Sequence, residues 1–234
     1  MRPPEQPTVD RNRERLEALV LPRFAARGPG APFVVALEGP NGVGKSTLGA
    51  ALADALDVPV CLGIDSAWFS DAFKIRMIRD ADWFASAMFF LSGCFEQMRV
   101  LRESPAPLVI MDRSIWSTLA VHAAEELQRL EAMLTMLRPI AAGIRVPDFT
   151  LVLEASLETC KNRIDHKAGV SRTLDELTAT QSFHSREHDF YRWLGNQVPT
   201  LSFLNVDTLS AAQVFAAAIK MLRAAKVPVS QGRR

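Results

Sequence analysis

Residues 39–47, Gly-Pro-Asn-Gly-Val-Gly-Lys-Ser-Thr, complete a G-x-x-x-x-G-K-[ST] loop directly after the apolar run Phe33-Val34-Val35-Ala36-Leu37. The residue types suit a polyphosphate. Gly39, Gly42 and Gly44 allow a turn whose backbone N–H groups converge on phosphate oxygens, and the helix that follows adds partial positive charge at its N-terminus. Lys45 reaches the β- and γ-phosphates, and the Ser46 hydroxyl suits Mg2+. Asn41, Val43 and Thr47 complete the expected ATP-binding segment. The strand before the loop and the Ala/Leu-rich helix after it distinguish a phosphate loop from a glycine turn without a ligand.

A second chemical element lies at Val109-Ile110-Met111-Asp112, an apolar strand ending in a carboxylate. Following a phosphate loop, Asp112 is a candidate Mg2+ ligand, directly or through water, because a hard cation takes oxygen donors. Arg113 brings a guanidinium fork to the same strand end, either for phosphate or as an ion-pair partner of Asp112. Arg163, Lys167 and Arg172 surround Gly169 in a basic segment, which reads as a cationic lid over the transferring phosphate or as a solvated helix face. Arg186 and Arg192 are weaker candidates of the same kind. Asp65 is a candidate base or hydroxyl binder, with a helix cap as its plainer role. Phe90 and Trp116 offer base-stacking surfaces or core packing. Asp207 ends the last strand, beside a nucleotide base or capping the final helix. His184 and His188 stand one turn apart, but the interleaved Glu187 and Asp189 read as a polar surface.

These residues need elements to hold them. Hydrophobic spacing predicts an added N-terminal helix over 11–24, ending near Pro22, then a Gly/Pro linker at 28–32. Strands are expected at Phe33–Leu37, Val58–Leu62, Leu108–Met111, Phe149–Leu153 and Leu201–Val206. Helices are expected at Thr47–Leu56, Asp82–Arg102, Ser117–Ile140 and Ala211–Ala225. Strands alternating with helices imply a parallel sheet covered on both faces, with ligands at the carboxyl ends of the strands. The expected organisation is a tail and helix over 1–31, one domain over 32–228 with a lid near 163–175, and a tail over 229–234.

The 234 residues fit one compact domain, and 48% hydrophobic with 23% charged residues is a soluble globular composition. A formal net charge of +1 argues against a nucleic-acid partner bound by overall charge. Cys61, Cys94 and Cys160 form no metal or disulfide pattern and read as free thiols in a reducing compartment, so the expected location is cytoplasmic. No stretch has the length of a membrane span, and the N-terminus is not that of a secretory signal.

The segment Leu37–Thr47, the triplet Asp112-Arg113-Ser114, and Val146–Glu154 followed by Arg163 together resemble the thymidylate kinase and deoxynucleoside kinase group over roughly residues 32–225. The resemblance implies a three-layer α/β fold with a five-stranded parallel sheet in the order 2-3-1-4-5 and a helical lid. It implies ATP as donor, Mg2+ as cofactor, a small nucleoside or nucleoside monophosphate as acceptor, and Arg113 on the acceptor's phosphate side. Thymidylate kinases commonly carry an acid where this chain has Asn41 and an aromatic residue where it has Ser114. They usually place an arginine one turn after the stacking phenylalanine, where this chain has Cys94. The long helices at 82–102 and 117–140 are candidates for pairing across a homodimer.

Other classes remain in view at this level. Leu91-Ser92-Gly93 ahead of the Asp112 strand has a likeness to ABC-type ATPases, although the interval is short and Arg113 stands where a water-activating glutamate belongs. An Asn-Lys-x-Asp guanine reader is not found in the sequence, which disfavours a GTPase. A non-catalytic nucleotide-binding module is the remaining alternative.

Overall fold

The computed structural model describes residues 8–61, 70–166, 175–176 and 178–229. Asp65, Lys167 and Arg172 lie outside the described residues, as does most of the expected lid. Five strands, β1 (Phe33–Glu38), β2 (Val60–Cys61), β3 (Leu108–Asp112), β4 (Phe149–Glu154) and β5 (Leu201–Asn205), form one sheet in the order β2-β3-β1-β4-β5. Every pairing is parallel, as the strand–helix alternation requires. Leu37 pairs with Asp112 and with Leu151 in register, so the phosphate loop and the strand-ending acid emerge at the same edge of the sheet.

The sheet is buried on both faces, which explains the uninterrupted apolar runs of its central strands. Val35 and Leu37 of β1 face α2 (Lys45–Leu56) and the last helix (Ala211–Ala224), with Leu48, Leu52, Ala218 and Leu222 filling that layer. Val34 and Ala36 point the other way, against Leu101 of α4 (Trp83–Glu103). Beyond α4 lies the largest core, built on α5 (Ile115–Glu125), α6 (Leu127–Leu137) and α8 (Gln181–Gln197). Other helices among the described residues are α1 (Thr8–Glu17), α3 (Asp71–Arg79), α7 (Leu157–Asp165) and α9, the Ala211–Ala224 helix.

Two of the expected helices differ from the spacing-based expectation, each for a visible reason. The N-terminal helix ends at Glu17, and the chain runs on without helix as far as β1. The Gln197 amide there accepts from the Leu21 N–H at 2.9 Å and donates to the Leu19 carbonyl at 3.0 Å, giving that backbone partners outside a helix. The expected single helix over 117–140 is two, broken at the extended Glu126. Arg186 caps the break, donating to the carbonyls of Ala124 at 3.2 Å and Glu125 at 2.8 Å. Its guanidinium is therefore committed to helix geometry.

Candidate active site

The phosphate loop takes its shape from close backbone approach. Gly39 has φ 118°, and a Cβ there would lie 2.2 Å from the Leu153 carbonyl oxygen. Gly42 has φ 81°, with the Cys160 carbonyl oxygen 2.4 Å from where its Cβ would be. Neither position admits a side chain without moving β4 or α7. Lys45 opens α2 and is 5% exposed, with Nζ donating to the carbonyls of Gly39 and Pro40, both at 2.7 Å. Burial, followed by the Arg113 charge, lowers its pKa to about 7.

Asp112 ends β3 beside this loop, 8% exposed, and its buried Oδ1 has no hydrogen-bond partner among the described residues. A buried, unpaired carboxylate oxygen is costly unless a cation or water satisfies it. Ser46 lies exposed in the first turn of α2. The two fit the chemistry of an oxygen-ligated divalent cation.

Arg113 follows with φ 73°, a left-handed backbone that costs a residue bearing Cβ about 1–3 kcal/mol. Its Nη2 donates to Asn41 Oδ1, and its Nη1 to Ser117 Oγ at 3.3 Å. The Asn41 amide donates onward to Thr178 Oγ1 at 2.8 Å. The loop asparagine thus joins the strand-end arginine to the chain that returns from the lid region.

A cavity of about 300 Å3 opens from Arg113 and runs between α4 and α5. Cys94 Sγ lies 3.6 Å from Thr118 Oγ1, and farther out Trp83 meets His122 edge-on with ring centroids 6.2 Å apart. The cavity therefore has a phosphate-loop end at Arg113, Asn41 and Glu187. Its walls are Cys94, Phe90, Thr118 and Val121, and its outer end holds Ser86, His122 and Glu125. Burial pushes the Cys94 thiol up to about 12 and lowers His122 to about 4, so both are neutral near pH 7.

Phe90 lines this cavity, as one of the two stacking candidates. Trp116 does not: it is 1% exposed and packs edge-on against Phe24 at 5.5 Å within the large core. Its position on α5 faces away from the cavity wall formed by Ser114, Ser117 and Thr118, which corrects its assignment as an acceptor contact. Arg163 is also placed differently from a mobile lid cation. It donates to Val43 O at 2.8 Å and Val206 O at 3.0 Å, tying the phosphate loop to the end of β5. Arg192 pairs with Glu154 at 2.6 Å and stacks over Phe203 at 4.0 Å. Asp207 accepts from Ser156 N–H at 2.7 Å and so pins the start of α7, while Ser210 caps α9. His184 bonds Ala155 O at 3.0 Å and His188 lies 3.2 Å from Glu154, so the histidine pair has separate partners.

Three buried carboxylates, Asp175, Glu187 and Glu38, were not among the sequence candidates. Glu187 is 4% exposed, lines the cavity, and is raised in pKa by burial against the opposing pull of Lys45 and Arg113. Its spacing with Phe183, Phe190, Tyr191 and Leu194 puts it on the apolar face of α8, a helical-period signal that the neighbouring charges obscured. Glu38, fully buried, accepts from Ser114 N at 2.8 Å, Ser114 Oγ at 2.5 Å, Ser117 Oγ and Tyr191 OH at 3.0 Å. A carboxylate closing an otherwise apolar strand is the signal that could have found it.

Residues 35–211 match the family profile of the deoxynucleoside kinases. The chain belongs to the deoxynucleoside kinase family. This deoxynucleoside kinase relative has no match among curated protein sequences. Among solved structures it resembles a thymidylate kinase from Candida albicans, with 21% identity and TM-score 0.67, over 84% of this chain and 93% of that one. It also resembles a deoxyadenosine kinase from M. mycoides with bound dATP, at 15% identity and TM-score 0.63, over 82% of this chain and 100% of the other. A thymidylate kinase from Ehrlichia chaffeensis aligns at 18% identity and TM-score 0.60, over 82% and 99% of the two chains. At these identities the structural likeness speaks for the fold. Family membership makes this deoxynucleoside kinase relative an enzyme of ATP-dependent phosphoryl transfer to nucleosides or nucleotides, and sets aside the ABC-type reading.

Proposed function

We propose that the acceptor is a neutral deoxynucleoside, phosphorylated on its sugar hydroxyl. The observation that carries this reading is Cys94. It faces the cavity one turn after Phe90, where an acceptor phosphate would need a cation, and it presents a neutral thiol held against Thr118. The described lining supports it, since Glu125, Asp175 and Glu187 contribute carboxylates against Lys74 and Arg113. A phosphate dianion entering this cavity would meet more acid than base.

In this reading the base lies against Phe90 and the sugar hydroxyl points to the Arg113 end. Lys45 and Arg113 stabilise charge on the transferring group, and Arg163 keeps the loop in shape from behind. Phosphoryl transfer depends mainly on such positioning and charge neutralisation. Mg2+ is assigned to Ser46 and Asp112, and when bound it would neutralise charge on the donor's phosphates. Lys167 and Arg172 are proposed as lid cations and Asp65 as the group that binds or deprotonates the hydroxyl. Asp207 is proposed to act indirectly, through the Ser156 turn.

The coarser setting follows the same lines. No helix among the described residues is long and apolar enough to cross a membrane. Cytoplasmic placement is supported by the buried free thiols Cys94 and Cys160. A homodimer through α4 is supported by Phe84 and Phe95, which lie about three turns apart on one face and are 44% and 38% exposed. The acceptor reading is tested by comparing kcat/KM for deoxynucleosides and for their 5′-monophosphates with Mg-ATP. A preference for deoxynucleosides is expected, and a preference for monophosphates would refute it.

A further inference from the structure

Arg113 holds an uncommon backbone conformation, φ 73°, at the point where its side chain must meet the phosphate loop. The cause is on the neighbouring strand. Arg113 N–H donates to the Leu37 carbonyl at 3.1 Å, and the next N–H, that of Ser114, donates to Glu38 Oε1 at 2.8 Å. Successive residues at the end of β1 thus fix two successive peptide groups at the end of β3, and the left-handed turn lies between them.

The same carboxylate also governs the guanidinium. Glu38 Oε2 accepts from Ser117 Oγ, and Ser117 Oγ accepts from Arg113 Nη1 at 3.3 Å. Tyr191 OH completes the set from α8 at 3.0 Å. Glu38 is fully buried, so its route to the reaction runs through other residues. We infer that Glu38 is the positioning residue of Arg113, setting both its backbone turn and the direction in which the guanidinium points toward Asn41. The three hydroxyls and one N–H that converge on it join β1, α5 and α8 around that single pose. A carboxylate at the start of α5 is also favourably placed against the helix N-terminus.

Glu38→Gln keeps the size of the side chain but sets an NH2 group among hydroxyls that now donate to a carboxylate. With Mg-ATP and the best acceptor among deoxyadenosine, deoxycytidine, deoxyguanosine and thymidine, kcat is expected to fall about tenfold to a hundredfold. The Kd for ATP is expected to stay within about twofold, because the loop's own bonds remain. In an Arg113→Lys background the same change is expected to lower kcat by less than about twofold, since a residue that acts through Arg113 has nothing left to act on. Full additivity of the two substitutions, or an unchanged kcat in Glu38→Gln alone, would overturn the inference. A crystal structure of Glu38→Gln gives a readout independent of any acceptor: a guanidinium displaced from Asn41 upholds it and an unmoved one overturns it. If none of the four deoxynucleosides is phosphorylated, the proposed acceptor class fails while that structure still decides the role of Glu38. Should Glu38→Gln not fold, Ser117→Ala breaks only the side-chain route and is expected to displace the guanidinium in the same way, whereas an unmoved guanidinium there overturns the inference.

Discussion

Lys45 is the residue in which burial and function oppose each other most openly. Removed from water and facing Arg113, it is held down to about 7, so in the free protein at pH 8 its amine is mostly neutral. A polyphosphate raises that value again, and ATP binding should therefore take up protons at pH 8 and take up few at pH 6. Calorimetry in buffers of different ionisation heat measures this, and a proton uptake that does not change with pH would contradict it. Lys45→Ala should retain the fold and lower kcat by at least about a hundredfold, the scale set by removing one donor to transition-state charge. His122 carries the opposite kind of information. Its native value of about 4 lies below the ordinary 6.5, so the unfolded chain binds the extra proton between those values and stability falls as pH drops through that window. Urea unfolding at pH 7, 5 and 4 should show a shallower loss in His122→Gln than in the wild type; equal slopes would count against it.

Among elements, the phosphate loop and the Asp112 strand were readable because their chemistry demands fixed residue types at fixed spacing. The Phe33–Leu37 and Leu108–Met111 runs were readable as strands because both faces are buried. What escaped was the chemistry carried by tertiary contact. Trp116 and Phe90 look alike in sequence, and only the rotation of their helices separates them: α5 turns Trp116 into the core, while α4 turns Phe90 towards the cavity. Glu187 looked like surface because its neighbours are charged, although its period matches Phe183 and Tyr191. Arg163 looked like a lid cation because basic residues follow it, yet its donors are spent on Val43 and Val206. Arg163→Ala should therefore act on the loop, raising the Kd for ATP by about tenfold, the loss of roughly 1–2 kcal/mol expected for donors to backbone carbonyls. Its effect on acceptor KM should be smaller, and an equal or larger effect there would restore the lid assignment.

At the scale of the whole molecule, the sheet order could be anticipated from the family resemblance, whereas the course of the N-terminal segment could not. That segment crosses α5 and α8, places Phe24 on Trp116, and is held by Gln197 and by Arg15 bonded to Glu131 at 2.8 Å. It stands outside the 35–211 match, so it adds packing to a family core that carries the chemistry. Phe24→Ala should cost about 2 kcal/mol and lower Tm by about 4–8 °C. The Kd for ATP should not change, and a loss of ATP binding at temperatures where the variant is folded would show that the segment reaches the site.

The central claim is that the loop, Asp112, Arg113 and the α4–α5 cavity together transfer phosphate from ATP to a neutral deoxynucleoside. The most direct test is to incubate the full chain with Mg-ATP and each deoxynucleoside in turn, and to quantify ADP and the deoxynucleoside 5′-monophosphate by mass spectrometry in the same sample. The account predicts equal amounts of the two products with at least one deoxynucleoside, and little ADP without an acceptor. ADP formed without a phosphorylated deoxynucleoside, or phosphate delivered only to monophosphates, would contradict it.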